Sequence, residues 1–294
     1  MKKIIYSLIN KLGYRIENKK KKHQQLIKPL DKFKSLDNFN ILILAKNYIL
    51  NLDNKFDNLT IKNHKDGFLV GFLDLGMYVE SLEEFHILNE VFVNNDYNYL
   101  NKDASILIDI GANIGTTSLF FSRFDYIEKI YAFEPLKDTF EQAQYNFALN
   151  DKICKVAWIK NIGLGRDNRQ ETFLFNRQVK GNTGVRGNLS PSYSDTQNSE
   201  KRTVQICDAS TEIEKVLKEV DNKKIIIKMD CEGAEYEILE NLSASKVINK
   251  IDVLLLEWHD KGAASIENIL SQHNFDSFSI SLGPISGMIY AKKK

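Results

Sequence analysis

The chain has 294 residues, 43% hydrophobic and 27% charged, with a formal net charge of +1, the profile of one large or two small globular domains able to bury a sizeable core. No stretch approaches the roughly 18 consecutive apolar residues of a spanning helix, and no long apolar segment with a small-residue cleavage site opens the chain, so a cytoplasmic protein is expected. Cys154, Cys207 and Cys231 form no C-x-x-C pair, which argues against a disulfide framework and a zinc knuckle.

The net charge hides an asymmetry. Met1 to Ser35 holds eleven Lys/Arg and two acids, leaving 29 basic and 37 acidic residues elsewhere. Within it, Ile5, Leu8, Ile9 and Leu12 share one helical face, and four lysines follow at 19 to 22. Two readings fit: a helix lying on a membrane surface, or a docking helix with a solvated tail. Nucleic acid is not an expected partner, because no aromatic-interleaved basic stripe continues beyond this segment.

From Asp37 to about Lys102 the pattern predicts packed helices in "FNILILAKNYIL" and "LEEFHILNEVFV", with a pair of short strands in "GFLVGFLDLGMYV" between them. His86, in the second helix, reads as a partly buried structural histidine. After Ala104 strand, turn and helix repeat: "SILIDIG", "KIYAFEP", "KVAWIKNIGLG", "KKIIIKMDCEG" and "IDVLLLEWHD" read as strands, with helices after most of them. Near-continuous apolar strands are what a parallel sheet covered on both faces requires. The chain then closes on "FDSFSISLGPISGMIYAKK", two strands whose connection is too short for a parallel crossover. The expected fold is α/β and Rossmann-like: residues 104–294 form a mostly parallel sheet with an antiparallel C-terminal hairpin, and residues 1–103 an α+β extension covering one side of it.

In such a sheet a ligand sits beyond the carboxyl ends of the strands. Gly111 permits a tight turn after the first strand, Gly115 allows helix and strand to approach closely, and the next strand ends at Glu134, 23 residues after Gly111, where a carboxylate can accept both ribose hydroxyl protons. An adenosine-containing cofactor is implied. Asp109 ends the strand beneath the turn, a poor neighbour for a pyrophosphate and a good one for the cationic aminoacyl end of S-adenosylmethionine.

"LIDIGANIG", "YAFEP", "NIGLG" and "IKMDCEGAEYEIL", in this order and spacing, resemble the FkbM family of S-adenosylmethionine-dependent O-methyltransferases over about Ala104 to Lys294. "DxEGAE" at Asp230 to Glu235 is the most specific piece. The resemblance implies a class I methyltransferase sheet, with Asp109, Gly111, Asn113, Gly115 and Thr116 forming the methionine-side loop. It places the ribose on Glu134 and the adenine near Asn161 and Ile162.

Methyl transfer to a hydroxyl needs the oxygen aligned and its proton removed. Asp230 ends the fourth strand, and the fifth ends "LLLEWHD", where a period of two puts Glu257 and His259 on one face. Asp230, Glu257 and His259 are therefore the candidate catalytic residues. Two carboxylates and an imidazole also suit Mg²⁺ or Mn²⁺. The competing readings are His259 as a metal-free base oriented by Glu257 or Asp230, and a structural role in which Glu257 and Glu232 cap helices or pair with Lys228. Cys231, flanked by Asp and Glu, is a poor nucleophile because its thiolate is disfavoured.

Asn176 to Arg202 lacks strand or helix periodicity and reads as a long loop. Its Arg177, Lys180 and Arg186 are candidates to meet the phosphates of a nucleotide-activated substrate, or belong to a solvated insertion. The leading function is an O-methyltransferase acting on a sugar or nucleotide-sugar hydroxyl, for which the family resemblance suggests bacterial surface polysaccharide or natural-product tailoring. An NAD-type oxidoreductase and a membrane-associated binding module with a degenerate Rossmann fold are the alternatives. The sequence assigns no oligomeric state and no particular hydroxyl.

Overall fold

The computed structural model describes residues 27–186 and 198–294, with positions 9, 11–13, 18, 21 and 24. Apart from those positions, the amphipathic stretch of residues 1–16 and the lysines at 19–22 lie outside the described residues, as do residues 187–197 of the long loop. No described helix is long and apolar enough to cross a membrane.

The N-terminal part forms helices α1 (Phe39–Leu44) and α2 (Lys46–Lys55), strands β1 (Thr60–His64), β2 (Gly67–Phe72) and β3 (Leu75–Val79), and helix α3 (Leu82–Leu88), which runs on as a π-helical turn over Asn89–Asn94. The expected strand pair is a three-stranded antiparallel meander, since polar "TIKNH" pairs with β2 along its whole length. α3 starts where Ser81 Oγ accepts the Glu84 N–H at 3.2 Å, an N-cap that satisfies one orphan donor of the first turn.

The remaining chain supplies β4 (Ser105–Ile110), α4 (Thr116–Phe121), β5 (Ile127–Phe133), α5 (Lys137–Ala148), β6 (Ala157–Lys160), β7 (Gly163–Gly165), β8 (Arg169–Phe175), β9 (Glu200–Asp208), α6 (Ala209–Lys218), β10 (Lys224–Met229), α7 (Glu235–Ala244), β11 (Val253–His259), α8 (Ala264–Gln272), β12 (Phe275–Ser281) and β13 (Ser286–Lys293). Seven of these strands form one sheet in the order β12-β13-β11-β10-β4-β5-β6. β13 pairs antiparallel with both neighbours and alone runs against the rest. The fold is Rossmann-like α/β, mostly parallel with an antiparallel C-terminal hairpin.

Successive side chains of the inner strands feed two different cores, as a period of two requires. Leu107, Ile130, Ile226 and Leu255 join a cluster with Leu42, Ile49, Phe68, Phe85 and Phe121, so the N-terminal elements cover this face together with α4 and α5. Ile108, Phe133, Ile227 and Leu256 pack on the other face against Ile213 of α6, Leu239 of α7 and Leu270 of α8.

Two strand readings change. "KVAWIKNIGLG" is broken: β6 stays in the main sheet, whereas β7 joins β9 and β8 in a separate three-stranded sheet. Close packing explains the break, because a Cβ on Gly163 would lie 2.6 Å from Ile206 Cδ1 of β9. The 176–202 stretch is also shorter as a loop than its sequence suggests, since Lys180–Asn182 form a 3₁₀ turn and Glu200 opens β9.

Candidate functional site

The chain leaves β4 toward β5 and β6 on one side and later returns as β10 on the other, so the strand order reverses between β4 and β10 and a crevice opens beyond their carboxyl ends. A cavity of about 310 Å³ occupies this position. Its wall takes Gly111, Asn113, Thr116 and Glu134 from the loops after β4 and β5, and Asp230, Glu257 and His259 from the ends of β10 and β11. The glycine turn and the candidate catalytic residues therefore face one space.

The turn is built from backbone that side chains would obstruct. Gly111 has φ 75°, and a Cβ on it would overlap the Asp230 carbonyl oxygen. Asn113 follows at φ 51° and Gly115 at φ 86°, both in the left-handed region that Gly and Asn enter most readily. The close approach at Gly115 is to α5 rather than to a strand, since a Cβ there would lie 2.5 Å from the Phe147 ring. Gly111 and Ala112 N–H groups donate to the Phe133 carbonyl at 3.1 and 3.0 Å, and Lys228 Nζ donates to the Gly111 carbonyl at 2.6 Å. Glu134 closes the arrangement: its Oε2 accepts the Asn113 N–H at 2.9 Å and its Oε1 the Leu136 N–H at 3.0 Å. Burial pushes its pKa up to about 7.

Three residues expected at the cofactor do not themselves line the cavity. Asp109 is fully buried, accepts from Ser118 Oγ at 2.7 Å and lies 3.4 Å from Lys228 Nζ, so its charge is spent inside the fold. Asn161 donates through Nδ2 to the Glu134 and Pro135 carbonyls at 3.0 and 2.9 Å, shaping the turn that carries Glu134. Ile162 packs on the apolar cluster of the far face.

At the other end of the cavity His259 Nε2 is surrounded by carboxylates: Glu232 Oε1 at 3.7 Å, Glu257 Oε1 at 3.8 Å and Asp230 Oδ1 at 4.0 Å. The three predicted residues thus converge, with Glu232 as a fourth. The ring is oriented by neither Glu257 nor Asp230 but by Glu235, whose Oε1 lies 2.7 Å from Nδ1 and also accepts the Cys231 and Gly233 N–H groups at 3.2 Å. Burial opposes the imidazolium, but the Glu235 hydrogen bond and the charges of Glu235, Glu232 and Asp230 outweigh it and raise the His259 pKa to about 10. Burial also lifts Glu232 to about 7 and, with Asp230 beside it, Glu257 well above the ordinary carboxylate range. Asp230, Glu232 and His259 each offer a ligand atom within 4.8 Å of the others. Lys228 engages Asp109 and Asp230, not Glu232 or Glu257. Burial holds the Cys231 thiol far above its usual pKa, leaving it unreactive.

The N-terminal part adds groups that no sequence signal announced. Tyr97 O–H donates to Asp230 Oδ2 at 3.0 Å and Glu257 Oε2 at 3.4 Å, and Glu83, His86 and Glu90 line the same wall. The π-helical turn begins at Asn89, next to Glu90, and burial with the nearby Asp230 raises the Glu90 pKa to about 8. Glu235 did have a sequence signal, as the last acid of the "DxEGAE" stretch opening a helix.

The three candidate phosphate contacts of the 176–202 segment, Arg177, Lys180 and Arg186, are already engaged. Arg177 makes a fork to Glu80 at 2.8 and 2.7 Å. Lys180, buried, meets Glu80, Gln142 and, at 3.1 Å, Glu84. Arg186 holds Asp260 through two bonds of 2.8 and 2.9 Å and Glu232 through one of 2.8 Å. Cations so matched have little left to offer a phosphate, and the expectation that they receive a nucleotide-linked substrate loses its basis.

A family model described as methyltransferase FkbM domain matches residues 109–277. Methyltransferase 1 of Beauveria bassiana (strain ARSEF 2860) is 29% identical over 171 residues, covering 55% of this chain and 68% of that protein. Methyltransferase sdnD of Sordaria araneosa is 26% identical over 219 residues, covering 67% of this chain and 84% of that protein. Among solved structures, the methyltransferase FkbM from Methylobacillus flagellatus KT aligns with a TM-score of 0.45 and 14% identity, over 71% of this chain and 50% of that one.

Proposed function

The chain belongs to the FkbM methyltransferase family, and from that premise we propose that it methylates a hydroxyl of a sugar with S-adenosylmethionine as donor. One observation carries the reading: the glycine turn with Glu134 and the cluster of Asp230, Glu232, Glu257 and His259 open into the same cavity. The cofactor fits what the turn offers, because Asn113 Oδ1 and Thr116 Oγ1 are buried on the cavity wall with no hydrogen-bond partner among the described residues. Glu134, at the end of β5, is the proposed ribose acceptor. Bound there, S-adenosylmethionine supplies an electrophilic methyl group on a sulfonium.

The acceptor hydroxyl is proposed to sit at the cluster. Glu83, His86, Glu90, Asp230 and Glu257 surround that end with groups able to accept hydrogen bonds from several hydroxyls. His259, at about 10, already carries its proton at neutral pH and is a poor general base. The carboxylates are better placed to take the hydroxyl proton, Glu232 above all, since about 7 is matched to exchange near neutrality. A divalent cation suits the same cluster if it displaces the proton on His259 Nε2: it would then meet three carboxylates and one imidazole nitrogen, whose second nitrogen is fixed by Glu235, an oxygen-rich donor set of the kind Mg²⁺ and Mn²⁺ favour. Such an ion would lower the hydroxyl pKa. The ligand set proposed is Asp230, Glu232 and His259, with Glu257 adjacent.

The test is transfer of label from methyl-labelled S-adenosylmethionine to a panel of sugars, before chelation, after it, and after return of Mg²⁺ or Mn²⁺. Loss and recovery are expected. Transfer indifferent to the chelator would remove the ion and leave the carboxylates as metal-free bases. Label found on nitrogen or carbon would overturn the hydroxyl assignment.

A further inference from the structure

We propose that Thr183, in the segment between β8 and β9, binds the aminoacyl end of the cofactor, a role that rests on the S-adenosylmethionine reading above. The segment from Lys180 to Arg186 lies against both loops that border the cavity. A Cβ on Gly181 would lie 2.9 Å from Asn113 Nδ2, and one on Gly184 would lie 2.5 Å from Glu232 Cβ. Gly233, at φ 102°, returns the approach: a Cβ there would be 3.1 Å from both Val185 Cγ2 and Arg186 Cγ. Glycines on both sides thus let this backbone pass between the loop after β4 and the loop after β10. Its two ends are pinned by charge, Lys180 to Glu80 and Glu84, and Arg186 to Glu232 and Asp260.

Thr183 sits between those pins, lines the cavity and is only 9% exposed. Its Oγ1 has no hydrogen-bond partner among the described residues, and the same holds for Thr116 Oγ1 and Asn113 Oδ1, which line the same cavity. Burying a hydroxyl or amide oxygen without a partner is costly, and a polar ligand removes that cost. The three atoms match the charged end of an α-amino acid: an amide oxygen accepts from an ammonium, and two hydroxyls donate to a carboxylate. The cations around the cavity do not compete for this role, since Lys180, Arg186 and Lys228 all face acids of the protein.

The test compares two ligands by calorimetric titration. S-adenosylhomocysteine carries the aminoacyl group, and 5′-methylthioadenosine lacks it. Thr183→Val keeps the side-chain shape and removes the hydroxyl, so it should weaken S-adenosylhomocysteine about ten- to a hundredfold, the range of one hydrogen bond to a charged group, and leave 5′-methylthioadenosine unchanged. Thr183→Ser should restore the loss. An equal loss for both ligands, or no loss for S-adenosylhomocysteine in a variant with unaltered thermal unfolding, overturns the assignment. A wild-type protein that binds neither ligand overturns the cofactor reading itself, and Thr183 with it.

Discussion

His259 Nδ1 lies 2.7 Å from Glu235 Oε1, and both side chains are buried at the carboxyl end of the sheet. Glu235 opens α7 and also receives two backbone N–H groups of the loop before it, so one carboxylate sets the loop and the ring together. Carboxylate partners of this kind fix a histidine's tautomer, and losing one costs about 10- to 100-fold in metal affinity or activity. Glu235→Gln should reduce transfer by that order with the cofactor affinity kept. The same variant carries a pH signature. In chelator-treated protein the folded state keeps the His259 proton up to about pH 10, while an unfolded histidine releases it near ~6.5. Between those values the folded state binds more protons, so the stabilisation is complete below about 6.5 and is lost as pH rises through 10. Thermal unfolding followed from pH 6 to pH 10, a range set by those values, should show a shallower decline for Glu235→Gln. An identical decline would show that the pair does not hold the proton.

Two glycines with similar backbone angles should respond differently to alanine. Gly262, at φ 76°, has nothing within 4 Å of where a Cβ would sit, whereas Gly111, at φ 75°, would drive its Cβ into the Asp230 carbonyl. Gly262→Ala should cost about 1 to 2 kcal/mol, the left-handed backbone penalty alone. Gly111→Ala adds a clash with main chain that cannot rotate away. Urea unfolding should find Gly111→Ala far less stable than Gly262→Ala, and equal losses would contradict the close approach of the loops after β4 and β10.

Lys180 offers a test of the buried charge cluster. Its side chain is 3% exposed between Glu80 and Glu84, and the Arg177 and Lys180 contacts overcome burial to hold Glu80 down at about 2. Lys180→Met strands the buried Glu84, while Arg177 keeps Glu80 paired, and should cost about 3 to 5 kcal/mol in chemical denaturation. Because the cluster satisfies itself, a nucleoside diphosphate should not raise the unfolding temperature of the wild-type protein. A clear rise would restore the phosphate-binding role expected from the sequence for Arg177, Lys180 and Arg186.

How far the sequence reached follows from what kind of information each feature needs. The strands were visible because burial on both faces leaves long apolar runs, as in "SILIDI" and "VLLLEWH", and Glu257 and His259 could be paired because the strand period is two. The meander's first strand was not visible, since "TIKNH" leaves only Ile61 buried and carries no apolar pattern. The break after Lys160 depends on Gly163 meeting Ile206, a contact spanning 43 positions that no local pattern encodes. Charge and the family resemblance both point Asp109 at the cofactor, and only the fold reveals Ser118 and Lys228 as its partners. Tyr97 reaches Asp230 from 133 residues away, and Glu80, the shared partner of Arg177 and Lys180, lies 97 and 100 residues before them.

The turn after β4 and the end of β5 are the proposed S-adenosylmethionine site. The most direct measurement is a calorimetric titration of wild-type protein and Glu134→Ala with S-adenosylmethionine and, separately, with NAD. Glu134 lines the cavity and holds the Asn113 and Leu136 N–H groups, and each hydrogen bond to a charged group is worth about 1.5 to 3 kcal/mol. One saturable site for S-adenosylmethionine, none for NAD, and affinity at least about tenfold weaker in Glu134→Ala are expected. Binding of NAD in place of S-adenosylmethionine, or S-adenosylmethionine binding untouched by the substitution, would contradict the assignment.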